Sequence, residues 1–239
     1  REPLRDLPIR RYFQVHRYRL DPTDTTLAHV KGDAALFRGE IGALRAKLAA
    51  TGLADRRLGI TETNVTWTGD GSALDGSPGT LAAGLWLADA SGVALEQGLW
   101  TLGYWSVVEG QPLGLLSEQR DKRAAYHTLG LFAQHFGLAP GDPAGARALV
   151  ATSDNAELHA YATRGGNDDR TFVMVVNWSR DNQRLAIQID GLHEAMPEST
   201  ITVPPLSASA IQIPDGGAAS GFTYGEAEWS TNAAARALP

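Results

Sequence analysis

The sequence predicts an α/β region followed by an all-β region within a chain of 239 residues. Over residues 1–137, strand-like and helix-like patterns alternate at a spacing of roughly 40–45 residues, which is typical of parallel strands covered by helices. After Gly137 the pattern changes to short alternating strands separated by turn residues, which indicates an antiparallel β-sandwich. We therefore expect two domains, at 1–137 and at 138–239.

The first region is expected to contain three strand–helix units. Apolar residues at helical spacing predict a first helix that ends near Gly52, and a Ser77–Pro78 pair predicts the start of the second. Tyr126, together with Leu129, Ala133 and Phe136, is expected to form the buried face of the third helix. The strands are expected at 12–18, 57–64 and 99–107, and the helices within 36–52, 77–92 and 122–137.

The second region shows period-two alternation of apolar and polar residues, which predicts strands with one buried face. The tail from Asp215 onward is rich in Gly, Ala and Ser, and we expect it to be loosely held. The strands are expected at 157–164, 170–179, 184–191, 200–203 and 207–214.

Composition excludes several classes of function. The net charge is −6 and no basic run is present, which argues against nucleic acid as a partner. The longest apolar stretch, from Leu81 to Leu95, contains Asp89 and is too short to span a bilayer, so no membrane partner is expected. Cysteine is absent, and His127 and His135 are too far apart to clamp a metal ion. The sequence therefore predicts no metal and no cofactor.

The N-terminal sequence and the absence of cysteine bear on the origin of the chain. Residues 1–11 look like the middle of a longer protein. The lack of cysteine is compatible with an intracellular or a secreted protein, and we slightly favour a secreted or periplasmic location over a cytoplasmic one.

Polar and aromatic residues gather where the three predicted parallel strands end, which is where such folds carry their chemistry. Taken singly, a strand-end glutamate, histidine or tryptophan is more often structural than functional. Together, a carboxylate, a His-x-Tyr pair and tryptophan rings form a polar floor with an aromatic wall, which is typical of sugar sites. The residues are His16 and Tyr18 on the first strand, Glu62, Asn64 and Trp67 on or after the second, and Tyr104, Trp105 and Ser106 on the third.

The ordered motifs "FQVHRY", "LGITETN", "LWTLGYWSV" and "KRAAYHTLGLFAQHFG" resemble the last three strands of (β/α)8-barrel glycoside hydrolases, in the clan that contains families 39, 44 and 51. The resemblance implies a partial TIM barrel, strands six to eight, followed by the β-sandwich that accompanies such barrels. It implies a retaining glycosidase in which Glu62 is the nucleophile. His16 and Tyr18 would contact Glu62 and the sugar, and Trp105 would form the floor of the subsite.

The same resemblance places two further residues at the substrate. Asn64 belongs to the "TE-x-N" motif of strand seven, and Trp67 in the following loop is expected to reach a neighbouring subsite. A carbohydrate substrate is therefore the expected partner.

One part of the clan's pattern is missing. The acid/base residue of this clan is a Glu in an Asn-Glu pair on strand four, and the chain contains no Asn-Glu pair. A complete barrel takes about 250 residues, so we expect this chain to be the C-terminal half of an enzyme whose other half supplies the acid/base. The alternative is a non-catalytic carbohydrate-binding or scaffold fragment, in which residues 140–214 bind the sugar.

Overall fold

The computed structural model describes residues 12–69, 76–136, 146–165, 170–189, 200–215 and 217–238. The first part of the chain alternates strands and helices, and the second part is almost entirely strands. The elements are β1 Tyr12–Tyr18, α1 Leu27–Ala50, β2 Arg57–Asn64, α2 Leu81–Glu96, β3 Leu102–Tyr104, α3 Ala124–His135, β4 Arg147–Leu149, β5 Leu158–Arg164, β6 Arg170–Asn177, β7 Gln183–Ala186, β8 Thr200–Val203, β9 Ser207–Pro214, β10 Ser220–Gly225, α4 Glu226–Ser230 and β11 Arg236–Ala237.

Strands β1, β2 and β3 form a parallel sheet in that order, as the sequence predicted. Val15 pairs with Ile60, but His16 pairs with Glu62, so Thr61 is an extra residue on β2 at this point. Such a bulge shifts the register of the strand by one residue. Since side chains alternate along a strand, the shift sets His16 beside Glu62 at the carboxyl end of the sheet.

The three expected helices are present, but α1 begins at Leu27, well before the expected segment of 36–52, and α2 ends at Glu96 rather than at 92. Helix α2 begins at Leu81, and its N-cap is Thr80, whose side chain accepts a hydrogen bond from the Ala83 N–H. The expected cap Ser77 instead accepts the Thr80 hydroxyl on its carbonyl oxygen, in the turn before the helix. The third strand is shorter than the expected 99–107, because the chain leaves the ladder after Tyr104.

The buried face of α3 is also rotated from the expected one. Tyr126 is 37% exposed, whereas the neighbouring His127 and Leu131 are buried. The helix packs against α2 on one side and against β9 and β10 on another. A helix that contacts two layers buries a broader face than a single apolar stripe predicts. Phe136, just beyond the helix, is buried as expected.

The second region contains a six-stranded antiparallel sheet in the order β11-β10-β9-β6-β5-β4, and a separate β7–β8 pair. One face of the large sheet packs on the helices, in a cluster that includes Met174 and Trp86. The other face packs on β7 and β8 through residues such as Val175 and Val203. The large sheet is therefore covered on both faces where these elements lie.

The residues after Asp215 differ from the loose tail that composition suggested. Strand β10 pairs along its whole length with β9, and β11 pairs with β10. Phe222 and Tyr224 alternate with small residues in β10 and stack on His135 and His127 of α3. Two aromatic anchors in a short strand are sufficient to hold this segment, although its average composition is that of a loop.

A buried carboxylate joins the helices to the large sheet. Asp89 of α2 is 1% exposed and accepts hydrogen bonds from His159 Nδ1 at 2.7 Å, the Tyr161 hydroxyl at 3.0 Å and Trp178 Nε1 at 2.9 Å. One turn further, a Cβ on Gly92 would lie 2.2 Å from the Tyr161 ring. Only glycine permits this close approach of helix and sheet.

Within the described ranges, none of the helices combines the length and the apolar character that crossing a membrane requires.

Candidate active site

Glu62 lies near the end of β2 with its carboxylate held from β1. The Tyr18 hydroxyl donates a hydrogen bond to Oε1 at 2.5 Å, and His16 Nδ1 lies 3.3 Å from Oε2. The Glu62 side chain is 25% exposed and that of His16 is 61% exposed, so the carboxylate is oriented by the protein yet open to solvent. The structure thus brings together three of the residues that the sequence placed in a site.

Arg17, between the two residues that contact Glu62, points to the opposite side of the sheet. Its guanidinium forms two hydrogen bonds of 2.8 Å with Asp33 and one of 2.7 Å with Glu40. It also lies over the Phe37 ring, with 4.3 Å between the guanidinium carbon and the ring centroid. Because alternate residues face opposite sides of a strand, these contacts fix the outward direction of His16 and Tyr18.

The Tyr18 phenol remains a hydrogen-bond donor over the whole physiological pH range. Burial raises its pKa above the ordinary value, and the hydrogen bond to Glu62 and the negative charges of Glu62 and Glu109 raise it further. A phenolate next to a carboxylate would add a like charge, which is why the neutral phenol is favoured. Tyr18 therefore holds one oxygen of Glu62 in a fixed direction.

Asn64 is fully buried and lies beneath the site rather than in its opening. Its Nδ2 donates to the carbonyl oxygens of Trp105 at 2.6 Å and Leu113 at 2.9 Å, and its Oδ1 accepts from the Val65 N–H at 2.7 Å. With its amide used in this way, the side chain ties the loop after β3 to the end of β2. The contact of Asn64 with a sugar stays a prediction, and the role that these contacts support is to hold the loop.

Two tryptophan rings lie at the carboxyl edge of the sheet. Trp67 is 53% exposed and Trp105 is 46% exposed. The Trp105 N–H donates to the Thr63 carbonyl at 2.9 Å, so this residue continues the contact between β2 and β3 beyond the end of β3. Exposed indole faces are suited to stacking on the C–H faces of a sugar ring.

Sequence reasoning missed a second acidic residue near this edge. Glu109 lies in the loop after β3, where its Oε2 accepts a 2.9 Å hydrogen bond from the Ser106 hydroxyl. Its charge contributes to the raised pKa of Tyr18. The sequence could have indicated Glu109, because it is an acidic residue only four positions after Trp105, in the loop that follows β3.

The described residues contain no cluster of three or more His, Asp or Glu side chains that could hold a metal ion. The site is therefore a carboxylate with a phenol donor and an imidazole beside it. Such a group can act as a nucleophile or as a base.

No protein-family profile matches the chain, and no curated protein matches it. Solved structures do. The chain superposes on a thermostable GH51 α-L-arabinofuranosidase from Thermotoga petrophila with a TM-score of 0.55 and 13% identity, covering 96% of this chain and 50% of that one. The α-L-arabinofuranosidase from Thermotoga maritima gives a TM-score of 0.53 and 15% identity, covering 90% of this chain and 50% of that one.

A bifunctional glucanase–xylanase from a metagenome library, CelM2, is also similar, with a TM-score of 0.56, 16% identity, and coverage of 89% of this chain and 42% of that one. The chain spans about half the length of the arabinofuranosidases it matches. At these identities the likeness shows a shared fold with glycoside hydrolases, and the chemistry has to be argued from the site itself.

Proposed function

We propose that the chain is the nucleophile-bearing part of a retaining glycoside hydrolase, with Glu62 as the nucleophile. The observation that carries the proposal is the arrangement of Tyr18 and His16 around one carboxylate at the carboxyl end of β2. Trp67 and Trp105 offer the stacking surfaces that a sugar ring needs. The fold shared with several glycosidases supports the same conclusion.

In this mechanism Glu62 attacks the anomeric carbon while the leaving oxygen is protonated, and water then hydrolyses the glycosyl-enzyme. The Tyr18 hydrogen bond holds Oε1, so that Oε2, on the side of His16, is directed toward the reacting carbon. Retention requires a second carboxyl group about 5–5.5 Å from the first. We assign that acid/base to a segment outside this chain, because the chain contains no Asn-Glu pair.

The open edge of β1 is the place we propose for that segment. Among the described strands, β1 pairs with β2 alone, so its other edge is unpaired. A cleft of about 430 Å³ lies between β1 and α1, and its partly or fully exposed apolar residues include Val15, Ala43 and Leu44. An added strand and helix would satisfy the edge and cover this apolar surface. The greater length of the solved glycosidases is consistent with such a segment.

A binding or scaffold fragment is the second candidate. The large antiparallel sheet packs on helices on one side and on β7 and β8 on the other. A carbohydrate-binding surface on that sheet would need an open face, so its coverage favours the site on the parallel sheet.

The proposal can be tested on the chain by trapping the glycosyl-enzyme. A 2,4-dinitrophenyl 2-deoxy-2-fluoroglycoside needs no protonation of its leaving group, so the first step does not depend on the acid/base that we assign to another segment. We expect β-xyloside, β-glucoside or α-arabinofuranoside forms of this reagent to add one glycosyl group, detected by intact-protein mass spectrometry and mapped to Glu62.

Glu62→Gln should abolish labelling because the amide is a poor nucleophile. Glu118→Gln, at an exposed glutamate in the loop after β3, serves as the matched control and should label normally. Equal labelling of Glu62→Gln and the unsubstituted chain, or labelling that maps elsewhere, would rule out Glu62 as the nucleophile.

A further inference from the structure

Glu109 is held firmly although it belongs to a long loop. Its carboxylate accepts the Ser106 hydroxyl at 2.9 Å, and its N–H donates to the Leu116 carbonyl at 3.3 Å. Its own carbonyl accepts from Arg123 Nη2 at 3.3 Å. Ser106 directly follows Trp105 at the end of β3, so these contacts place the Glu109 carboxylate at the same edge of the sheet as Glu62.

The charge of Glu109 acts on the tyrosines that border the site. Burial is the main cause that raises the pKa of Tyr18, and Glu109 acts in the same direction. Burial likewise raises the pKa of Tyr104 to about 12; the hydrogen bond with Asn64 and the charge of Arg123 oppose this rise, and the charge of Glu109 adds to it. The Tyr18 hydroxyl, which binds Glu62, therefore lies within the electrostatic reach of a second carboxylate.

His16 and Arg123 are basic groups near these two carboxylates in the part of the chain that the structure describes. No Lys or Arg side chain there forms an ion pair with Glu62 or Glu109, and His16 is the basic group beside Glu62. The nearby Arg123 uses Nη1 on the carbonyls of Gly114 and Leu116 and Nη2 on that of Glu109. The Arg123 guanidinium is thus bound to backbone carbonyls and to neither carboxylate, although its positive charge also acts on Tyr104.

We propose that Glu109 is a specificity-determining residue of the site, which accepts hydrogen bonds from hydroxyl groups of a neutral sugar and disfavours a uronic acid. The inference rests on the proposed glycosidase function and narrows its substrate class. An ionised carboxylate accepts hydroxyl hydrogens strongly. A sugar carboxylate offers no such hydrogen at C6 and adds a like charge next to Glu62 and Glu109.

The test uses the chain and three methyl β-glycosides as probes, in ligand-observed NMR titrations at pH 7. The glucoside and the glucuronide differ only in the oxidation state of C6, and the xyloside lacks C6. We expect the better neutral glycoside to bind at least tenfold more tightly than the glucuronide. Glu109→Gln should weaken binding of the neutral sugar at least fivefold and reduce the discrimination against the glucuronide. Glu118→Gln, which removes an equal charge from an exposed position in the same loop, should change neither.

The outcomes separate this inference from the function on which it depends. Failure of all three probes to bind the unsubstituted chain would count against the sugar site as a whole. Binding of a neutral glycoside that is unchanged in Glu109→Gln, or equal effects of Glu109→Gln and Glu118→Gln, would overturn the role of Glu109 alone. Preference for the glucuronide in the unsubstituted chain would overturn the predicted substrate class.

Discussion

Replacing Arg17 with methionine tests whether the contacts behind the sheet hold the site in place. Arg17 is 7% exposed and Asp33 is 1% exposed. The guanidinium forms two hydrogen bonds with the Asp33 carboxylate, and Trp86 Nε1 donates a third at 2.8 Å. Methionine retains most of the apolar contacts of the arginine stem. It removes both guanidinium hydrogen bonds, so within the described structure the Asp33 carboxylate keeps only the Trp86 indole N–H as a side-chain donor.

The expected loss follows from what remains buried. Removing one partner of a buried ion pair leaves an uncompensated charge and typically costs about 3–5 kcal/mol. Arg17→Met should therefore lower the free energy of unfolding by about that amount. Arg19→Met is the matched control, because Arg19 contacts Glu40 at 3.2 Å with both side chains largely exposed. Such a surface pair contributes about 0–1 kcal/mol.

Urea unfolding followed by tryptophan fluorescence at pH 7 measures the free energy of unfolding of both variants. The dependence of that free energy on urea concentration should be the same in both, which would show that unfolding exposes the same surface area. A loss in Arg17→Met within 1 kcal/mol of the loss in Arg19→Met would refute the reasoning, since it would mean that the Asp33 charge is readily neutralised or solvated.

Three other predictions use the same structure. Asp89→Asn should lower the free energy of unfolding by about 2–4 kcal/mol, because the amide cannot accept three donors at the positions where the carboxylate does; a loss below 1 kcal/mol in urea would contradict this. Burial and the charge of Lys122 lower the pKa of His127 below its ordinary value, so the folded state binds fewer protons than the unfolded one and stability should fall as the pH drops below about 6.5. His127→Phe should flatten that dependence between pH 7.5 and 5, and an unchanged slope would assign it to other groups. Tyr18→Phe should slow glycosylation of Glu62 by the fluoroglycoside at least tenfold, since a hydrogen bond to a charged group contributes about 1.5–3 kcal/mol; normal labelling kinetics would exclude that role.

The positions of β1 and β2 and the direction of the side chains on β1 could be predicted from the sequence. Period-two alternation places His16 and Tyr18 on one side of β1 and Arg17 on the other, and the structure agrees. The bulge at Thr61 could not be predicted, because it depends on how β1 and β2 pair and not on either strand alone. The proximity of His16 to Glu62 depends on that bulge.

Several features that the sequence did not predict depend on contacts between separate parts of the chain. The buried face of α3 includes His127 because β10 supplies Tyr224 as a stacking partner at 4.5 Å. Asn64 is buried because the loop after β3 brings two carbonyl groups to its amide. Glu109 is held near the site by hydrogen bonds with Ser106 and Arg123. The loop conformation that makes these contacts possible is not indicated by the sequence of the loop alone.

Helix α2 has a consequence for how this protein can be divided or recombined. Its residues are buried almost throughout, and it contacts α1, α3 and β5. Exchange of the large sheet for one from another protein would leave Asp89 without its donors and Gly92 without the ring it accommodates. A chimera cut between α3 and β4 separates α2 from the sheet it fits, so it should fold poorly unless the new sheet also supplies donors for Asp89 and an aromatic ring opposite Gly92.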